Sequence, residues 1–368
     1  MLSHLRLFNF RNYDQCDLNF SPGINFLLGE NGQGKTNILE AVYYLSLLRS
    51  FRTSQVNNLR QWKKDVFYLS AECQTTTKEE MQLSVSYGTN RRLTVNGVAV
   101  QRASDFINHF ICATFIPEDL EIIKGAAFLR RRFLDIAISQ LSAAYLRALQ
   151  NYSEALKNRN IMLKQPGKYP LSTLTAYDYI IVKQGVIIEL ARRDLIGRLN
   201  QALLKQSALF FQNKKILSVK FLTGISTLLK NFSADSAELS GLYQDTLRKN
   251  LERDCREGNT RYGPHRSEMH FLMDDNSLAF YGSEGECRVA AIAVRFACLD
   301  VLQQELGRDD VTLIVDDVLG ELDQERRAVF FQQLALAGQV IVAGTAIPKE
   351  IKLTSKVFSV LAGQCTAI

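Results

Sequence analysis

The sequence predicts an α/β fold: a head of mixed sheet and helices, with a strand-rich lobe, interrupted by a mainly helical arm. Three observations lead there. A short apolar run, a glycine-rich turn and a helical pattern follow one another over residues 24–42. A β-branched strand ending in two carboxylates lies far downstream, Val311-Thr312-Leu313-Ile314-Val315-Asp316-Asp317. Between them strand signals fade, and helical spacing takes over from Phe128.

The turn reads Gly29-Glu30-Asn31-Gly32-Gln33-Gly34-Lys35-Thr36. Its glycines let the backbone turn sharply and bring N–H groups up to a polyphosphate, and the following helix adds its positive dipole end. Lys35 supplies a point charge for the outer phosphates, and the Thr36 hydroxyl can ligate Mg²⁺. A nucleotide is the expected ligand.

At 368 residues the chain has room for roughly two domains with real cores. A formal net charge of +6 is a mild basic excess, compatible with an anionic polymer as partner and insufficient to name one. Seven scattered cysteines without a C-x-x-C pair favour reduced core thiols over disulfides or zinc. The N-terminus does not read as a signal peptide and no apolar run approaches spanning length, so a cytoplasmic protein without a membrane partner is expected.

In chain order, residues 5–10 and 17–28 read as strands, with the cation-bearing turn Arg11-Asn12-Tyr13 between them; Arg11 and Asn12 are expected beside the nucleotide. A helix after the loop ends in Arg49-Ser50-Phe51-Arg52-Thr53. Residues 66–72 and 81–87 are strand formers, and Asn96-Gly97 marks a two-residue hairpin turn. Helices are expected over 128–164, over Leu174–Leu204 (where Gly185 and Gly197 weaken the pattern) and over 236–253, with a strand at 216–222. Strands and helices then alternate to the end. The expected division is a head of 1–124 and 258–368 and an arm of 125–257.

Carboxylates at the end of a buried parallel strand sit where open α/β sheets bind ligands. Asp316 is assigned to the Mg²⁺ shell and Asp317 to positioning or deprotonating the attacking water. Upstream, Ser283 and Gly285 stand at the mouth of a helix, a second anion site by the same dipole reasoning.

Phosphate loop, serine–glycine helix mouth, acidic strand and Glu321-Leu322-Asp323 occur in the order of the ATP-binding-cassette (ABC-type) ATPases. More narrowly, the chain resembles the RecF family of the SMC/Rad50-like group. The match is carried by Phe10-Arg11-Asn12-Tyr13, residues 29–53, Phe115-Ile116-Pro117-Glu118-Asp119-Leu120, Arg131-Arg132-Phe133-Leu134-Asp135, Gly263-Pro264-His265-Arg266 and residues 316–323. The resemblance implies a DNA-binding ATPase that forms an ATP-dependent homodimer, Ser283 and Gly285 of one copy closing on the γ-phosphate held by Lys35 of the other. It also implies work with RecO and RecR at single-stranded gaps, promoting RecA loading in DNA repair, replication restart and the SOS response. Two departures stand out: Gly282 precedes Ser283, and acids occupy positions 284 and 286. Gly344-Thr345 stands where transporters carry a histidine, which points to slow hydrolysis with Thr345 sensing the γ-phosphate.

Basic clusters near Trp62 and at Arg91-Arg92 give a sequence-independent DNA face, assigned to Lys63, Lys64, Arg91 and Arg92. Three alternatives are set against this reading. A transporter ATPase shares the motif order but would carry the missing histidine. A nucleotide kinase would lack the helix-mouth serine and the late acidic strand. A nucleotide-gated DNA clamp without meaningful hydrolysis keeps the same residues and is separated only by turnover.

Overall fold

The computed structural model describes residues 1–74, 80–225, 235–306, 311–316, 322–349 and 355–368. The first stretch gives β1 (Leu2–Phe10), β2 (Tyr13–Asn19), β3 (Gly23–Leu28), α1 (Lys35–Leu47), β4 (Phe67–Gln74), β5 (Glu80–Tyr87), β6 (Arg91–Val95), β7 (Val98–Val100) and β8 (Cys112–Phe115). The middle gives α2 (Glu121–Lys124), α3 (Ala127–Leu141), α4 (Ala143–Leu163), α5 (Leu171–Phe210), β9 (Leu217–Leu222), α6 (Ser236–Lys249), α7 (Leu251–Glu257), β10 (Glu268–Met273), β11 (Asn276–Ser277) and α8 (Leu278–Tyr281). The chain closes with α9 (Glu284–Leu306), β12 (Thr312–Asp316), α10 (Gln324–Leu334), β13 (Gln339–Gly344), β14 (Lys356–Leu361) and β15 (Gln364–Ala367).

Two compact units result. The first comprises Met1–Leu120, Gln206–Lys214 and Glu284–Ile368; the second comprises Glu121–Lys205 and Lys215–Ser283. The expected return to the head at 258 is therefore displaced to 284. The reason is strand pairing: β10 lies antiparallel to β9, Met269 opposite Phe221, so 258–283 stays with the second unit.

The first unit holds two six-stranded sheets. One runs β15-β14-β3-β13-β12-β8, parallel from β14 to β8 with β15 antiparallel at its edge. Every residue of β12 is buried, as expected of a parallel strand covered on both faces. Phe115, Phe296 and Phe330, with ring centroids 4.6–5.4 Å apart, bring β8, α9 and α10 into one core. Because β3, β13 and β12 are adjacent and parallel, their C-terminal ends come out on the same edge. That edge positions the site.

The other sheet, β2-β1-β4-β5-β6-β7, is antiparallel. Asn96 and Gly97 both take positive φ, 50° and 77°, as the primed hairpin turn requires. The single strand expected over 17–28 is two strands, broken at Ser21-Pro22, where proline has no N–H to give a ladder.

In the second unit, α5 runs unbroken through Gly185 and Gly197. Gly185 is there for packing: a Cβ would come within 2.7 Å of the Tyr243 ring. The expected helix over 128–164 breaks at Ser142, whose hydroxyl accepts the Tyr145 N–H and starts α4. Gly263 (φ 141°) has no space for a side chain, since a Cβ would meet the Tyr243 and Tyr152 hydroxyls at 2.2 and 2.3 Å. Beside it, the His265 Nδ1 lies 2.6 Å from the Tyr152 hydroxyl and its Nε2 2.9 Å from the Thr260 carbonyl oxygen. A neutral ring satisfies both contacts, Nε2–H donating to Thr260 and Nδ1 accepting from Tyr152.

Burial, and secondarily Arg266, Arg131 and Arg192, lowers the His265 pKa to about 4. The unfolded chain therefore takes up this proton first as pH falls. The stability is complete above about pH 6.5 and is lost progressively down to about pH 4, some 3 kcal/mol in all. Urea unfolding followed from pH 7.5 to 4 should show this slope, and His265→Gln should flatten it. An equally steep slope in the variant would assign the pH dependence elsewhere.

Candidate nucleotide-binding site

The loop after β3 is shaped by contacts that tolerate little else. Gly34 takes φ 117°, and a Cβ there would lie 2.6 Å from Asn12 Nδ2 and 2.7 Å from the Tyr13 hydroxyl. Those two side chains brace the loop: Asn12 Nδ2 donates to the Gln33 carbonyl at 3.1 Å, and the buried Tyr13 hydroxyl donates to the Gly34 carbonyl at 3.1 Å. Burial pushes the Tyr13 pKa far up, keeping the phenol a donor. From the other side, the Ala362 N–H donates to Gln33 Oε1 at 2.7 Å.

Lys35 is 8% exposed and folds back into the loop, its ammonium donating to the Gly29 and Glu30 carbonyls at 2.6 and 2.8 Å. It is a cation held at the centre of a ring of backbone groups. Thr36, one residue on, donates its hydroxyl to Asp316 Oδ1 at 3.1 Å. A neighbouring hydroxyl and carboxylate are hard-oxygen donors of the kind Mg²⁺ takes alongside phosphate oxygens. A cleft of about 340 Å³ opens over them, lined by Asn31, Gly34, Lys35, Thr36, Asp316 and Thr345 among others. Its polar walls and size suit a polyphosphate group.

Not every expected residue faces that cleft. Arg11 was expected beside the nucleotide; its guanidinium instead grips Glu40, Nε to Oε2 at 2.8 Å and Nη2 to Oε1 at 2.7 Å, with Nη1 donating to the Asn58 carbonyl. Glu40 is fully buried and also accepts from the Ser50 hydroxyl. Asn12 acts through the loop backbone and through Asn37, whose Nδ2 donates to Asn12 Oδ1 at 2.7 Å. Sequence reasoning left out Arg52, Asn37 and Pro117, all of which line the cleft. Arg52 donates to Asn37 Oδ1 at 2.7 Å, and its position in a basic segment was the available signal. Glu40 was also missed, although a lone acid inside an apolar helical run marks a buried partner.

Pro117 precedes a buried anchor. Asp119 accepts the Ile116 N–H at 3.0 Å and pairs with Arg295 of α9. Burial raises the Asp119 pKa, with Arg295 opposing the rise. Asp317 and Glu321 lie outside the described residues.

Ser283 and Gly285 are exposed at the start of α9, and neither is among the residues that line the cleft. A Cβ on Gly285 would meet nothing, so the surface there is open to approach. Glu284 is drawn along its helix by Arg288, Nη2 to Oε1 at 2.6 Å, an i,i+4 pair that offsets its charge near the helix mouth. Exposed Phe280 and Tyr281 immediately precede this segment.

Lys63, Lys64, Arg91 and Arg92 are all exposed at one end of the antiparallel sheet, where Phe67 opposes Tyr87 and Tyr87 opposes Arg91. Arg130 and Arg131 are engaged inside the second unit, with Glu268 and with the Ser267 carbonyl. Among the described residues, no helix is long and apolar enough to cross a membrane.

Residues 1–362 match the family described as RecF/RecN/SMC N terminal domain. The DNA replication and repair protein RecF of Latilactobacillus sakei is 32% identical over 98% of this chain and 97% of its own length. That of Clostridium tetani is 31% identical over 99% of both. A solved structure of the recombination mediator protein RecF with ATP superimposes with a TM-score of 0.91 at 28% identity, covering 100% of this chain and 97% of that one. An Smc head domain from Pyrococcus furiosus shares the fold at a TM-score of 0.56 and 14% identity.

Proposed function

The chain belongs to the RecF/RecN/SMC N-terminal family and is RecF-like over its whole length; from that premise we propose an ATP-gated, DNA-binding recombination mediator. The observation that carries the proposal is the Thr36–Asp316 contact beneath the cleft, with Lys35 beside it, on the common edge of β3, β13 and β12. ATP binds there with its phosphates on the loop N–H groups and Lys35. Mg²⁺, held by Thr36 and Asp316, would neutralise charge on the phosphate oxygens. Arg52 and Thr345 border the outer phosphates, and Asp317 positions the attacking water in a slow, switch-like hydrolysis.

In this reading the site is completed by another copy of the chain. Ser283 and Gly285 supply that half: exposed, at a helix mouth, with Glu284 pulled aside by Arg288. ATP binding thus becomes dimerisation. The dimer acts with RecO and RecR at single-stranded gaps to promote RecA loading. A transporter subunit is disfavoured by likeness to RecF proteins along the entire chain.

DNA phosphates meet Lys63, Lys64, Arg91 and Arg92. Reversing all four charges to Glu should weaken binding of gapped DNA at least tenfold at low salt, and reduce the slope of log affinity against log salt by about three. Fluorescence anisotropy across a salt series reads both. Unchanged affinity at low salt would remove these residues from the interface.

A further inference from the structure

Phosphate contacts alone do not explain the surface around those four cations. On the solvent face of the antiparallel sheet, register places Gln15, Phe8, Tyr68, Ser86 and Arg92 in one row across five strands. Phe8 is 48% exposed although its neighbours Leu7 and Leu5 are fully buried, so its ring stands on the outer face. Tyr68, half-buried between buried Phe67 and Leu69, is directly opposite it. Directly opposed side chains on antiparallel strands lie about 5 Å apart at Cβ, so the two rings form a continuous patch.

A tight turn borders this row. The Lys64 N–H donates to the Gln61 carbonyl at 3.1 Å, and Lys63 takes φ 65°. The turn is tied to the end of β1 by Gln61 N–H to Asn9 O at 2.8 Å. Its far side reaches the β5–β6 connection, where a Cβ on Gly88 would touch Val66 at 2.8 Å. It holds Trp62 84% exposed, next to Lys63 and Lys64. A positive φ at a non-glycine residue carries strain that packing must hold in place, and here it presents an indole to water. Scattered exposed apolar residues need no explanation. Three aromatic rings at one sheet end beside Lys63, Lys64 and Arg92 do. Asp17 pairs with His4 and Arg6, while Asp14 beside Gln15 and Asp65 beside the lysines are exposed.

We propose that this sheet face is a stacking platform for unpaired DNA bases. Phe8, Tyr68 and Trp62 take the bases, and Lys63, Lys64 and Arg92 take the phosphates of the same strand; Arg91, one residue along β6, is on the opposite face with Leu93 and beside Tyr44. Every base has a π-face, so the platform is sequence-tolerant, and duplex DNA with its bases stacked inward cannot use it. The inference rests on the DNA-binding reading and assigns the strand that the face selects.

The chain's single tryptophan makes the test direct, because Trp62 fluorescence reports only from the platform. Titration with oligo(dT) in the presence of ATP and Mg²⁺ should quench that fluorescence, and a blunt duplex at equal phosphate concentration should not. Trp62→Ala should weaken labelled oligo(dT) about tenfold or more with the salt slope unchanged, and Trp62→Phe should restore most of the loss. Phe8→Ala should act in the same direction, and both residues are exposed enough to leave the core intact. DNA binding by the wild type with no quench by oligo(dT), and no loss of oligo(dT) affinity in Trp62→Ala or Phe8→Ala, would overturn the platform while sparing the DNA-binding reading. No binding of any DNA by the wild type would overturn both.

Discussion

Lys35→Ala binds ATP–Mg²⁺ at least a hundredfold more weakly than the wild type, measured by titration calorimetry. The ammonium is drawn into the loop itself, donating to the Gly29 and Glu30 carbonyls. Those carbonyls hold it where polyphosphate oxygens would arrive. Charge-assisted bonds contribute about 1.5–3 kcal/mol each, and two of them to phosphate account for a loss of two to three orders of magnitude. Alanine suits the first turn of α1, so folding should change little. An unaltered affinity would mean that the backbone N–H groups suffice and that Lys35 has another role.

Glu40→Ala should have the largest effect on stability, about 3–5 kcal/mol in urea unfolding. Its carboxylate is fully buried and closes a fork on Arg11 while accepting from Ser50. Removing it leaves Arg11, whose side chain is only 19% exposed, without its counter-charge. Arg52 also approaches Glu40, at 3.8 Å, and lines the cleft. Nucleotide affinity should therefore fall together with stability. Glu40→Gln, which keeps the shape and part of the hydrogen bonding, should lose less than Glu40→Ala. Equal losses in the two would show that packing and not charge is what Glu40 supplies.

What could be read from the sequence was local. The loop announced itself because its glycines, lysine and threonine must be contiguous to wrap a phosphate. The acidic strand was legible because burial on both faces enforces an apolar run up to Asp316. Asn96-Gly97 specified its turn by the φ values that only such residues adopt readily. What escaped was pairing at a distance. Arg11 looked like a phosphate ligand because it is a cation near the loop; its true partner lies 29 residues away on the buried face of α1. The arm boundary moved to residue 283 because β10 pairs with β9, a choice no local pattern encodes. Gly185 suggested a break in α5, yet it is a contact surface for Tyr243. In the same way, Phe8 and Tyr68 are unremarkable singly and become a surface only once the sheet register sets them opposite each other, with Trp62 on the bordering turn.

The composite nucleotide site is tested most directly by sedimentation velocity of the wild-type chain, without nucleotide and with saturating ATP and Mg²⁺. The expected result is a monomer that becomes a dimer on ATP addition, while Lys35→Ala remains a monomer under both conditions. A wild-type chain shown by calorimetry to be saturated with ATP, yet sedimenting unchanged as a monomer, would contradict a site completed by Ser283 and Gly285 of a second copy.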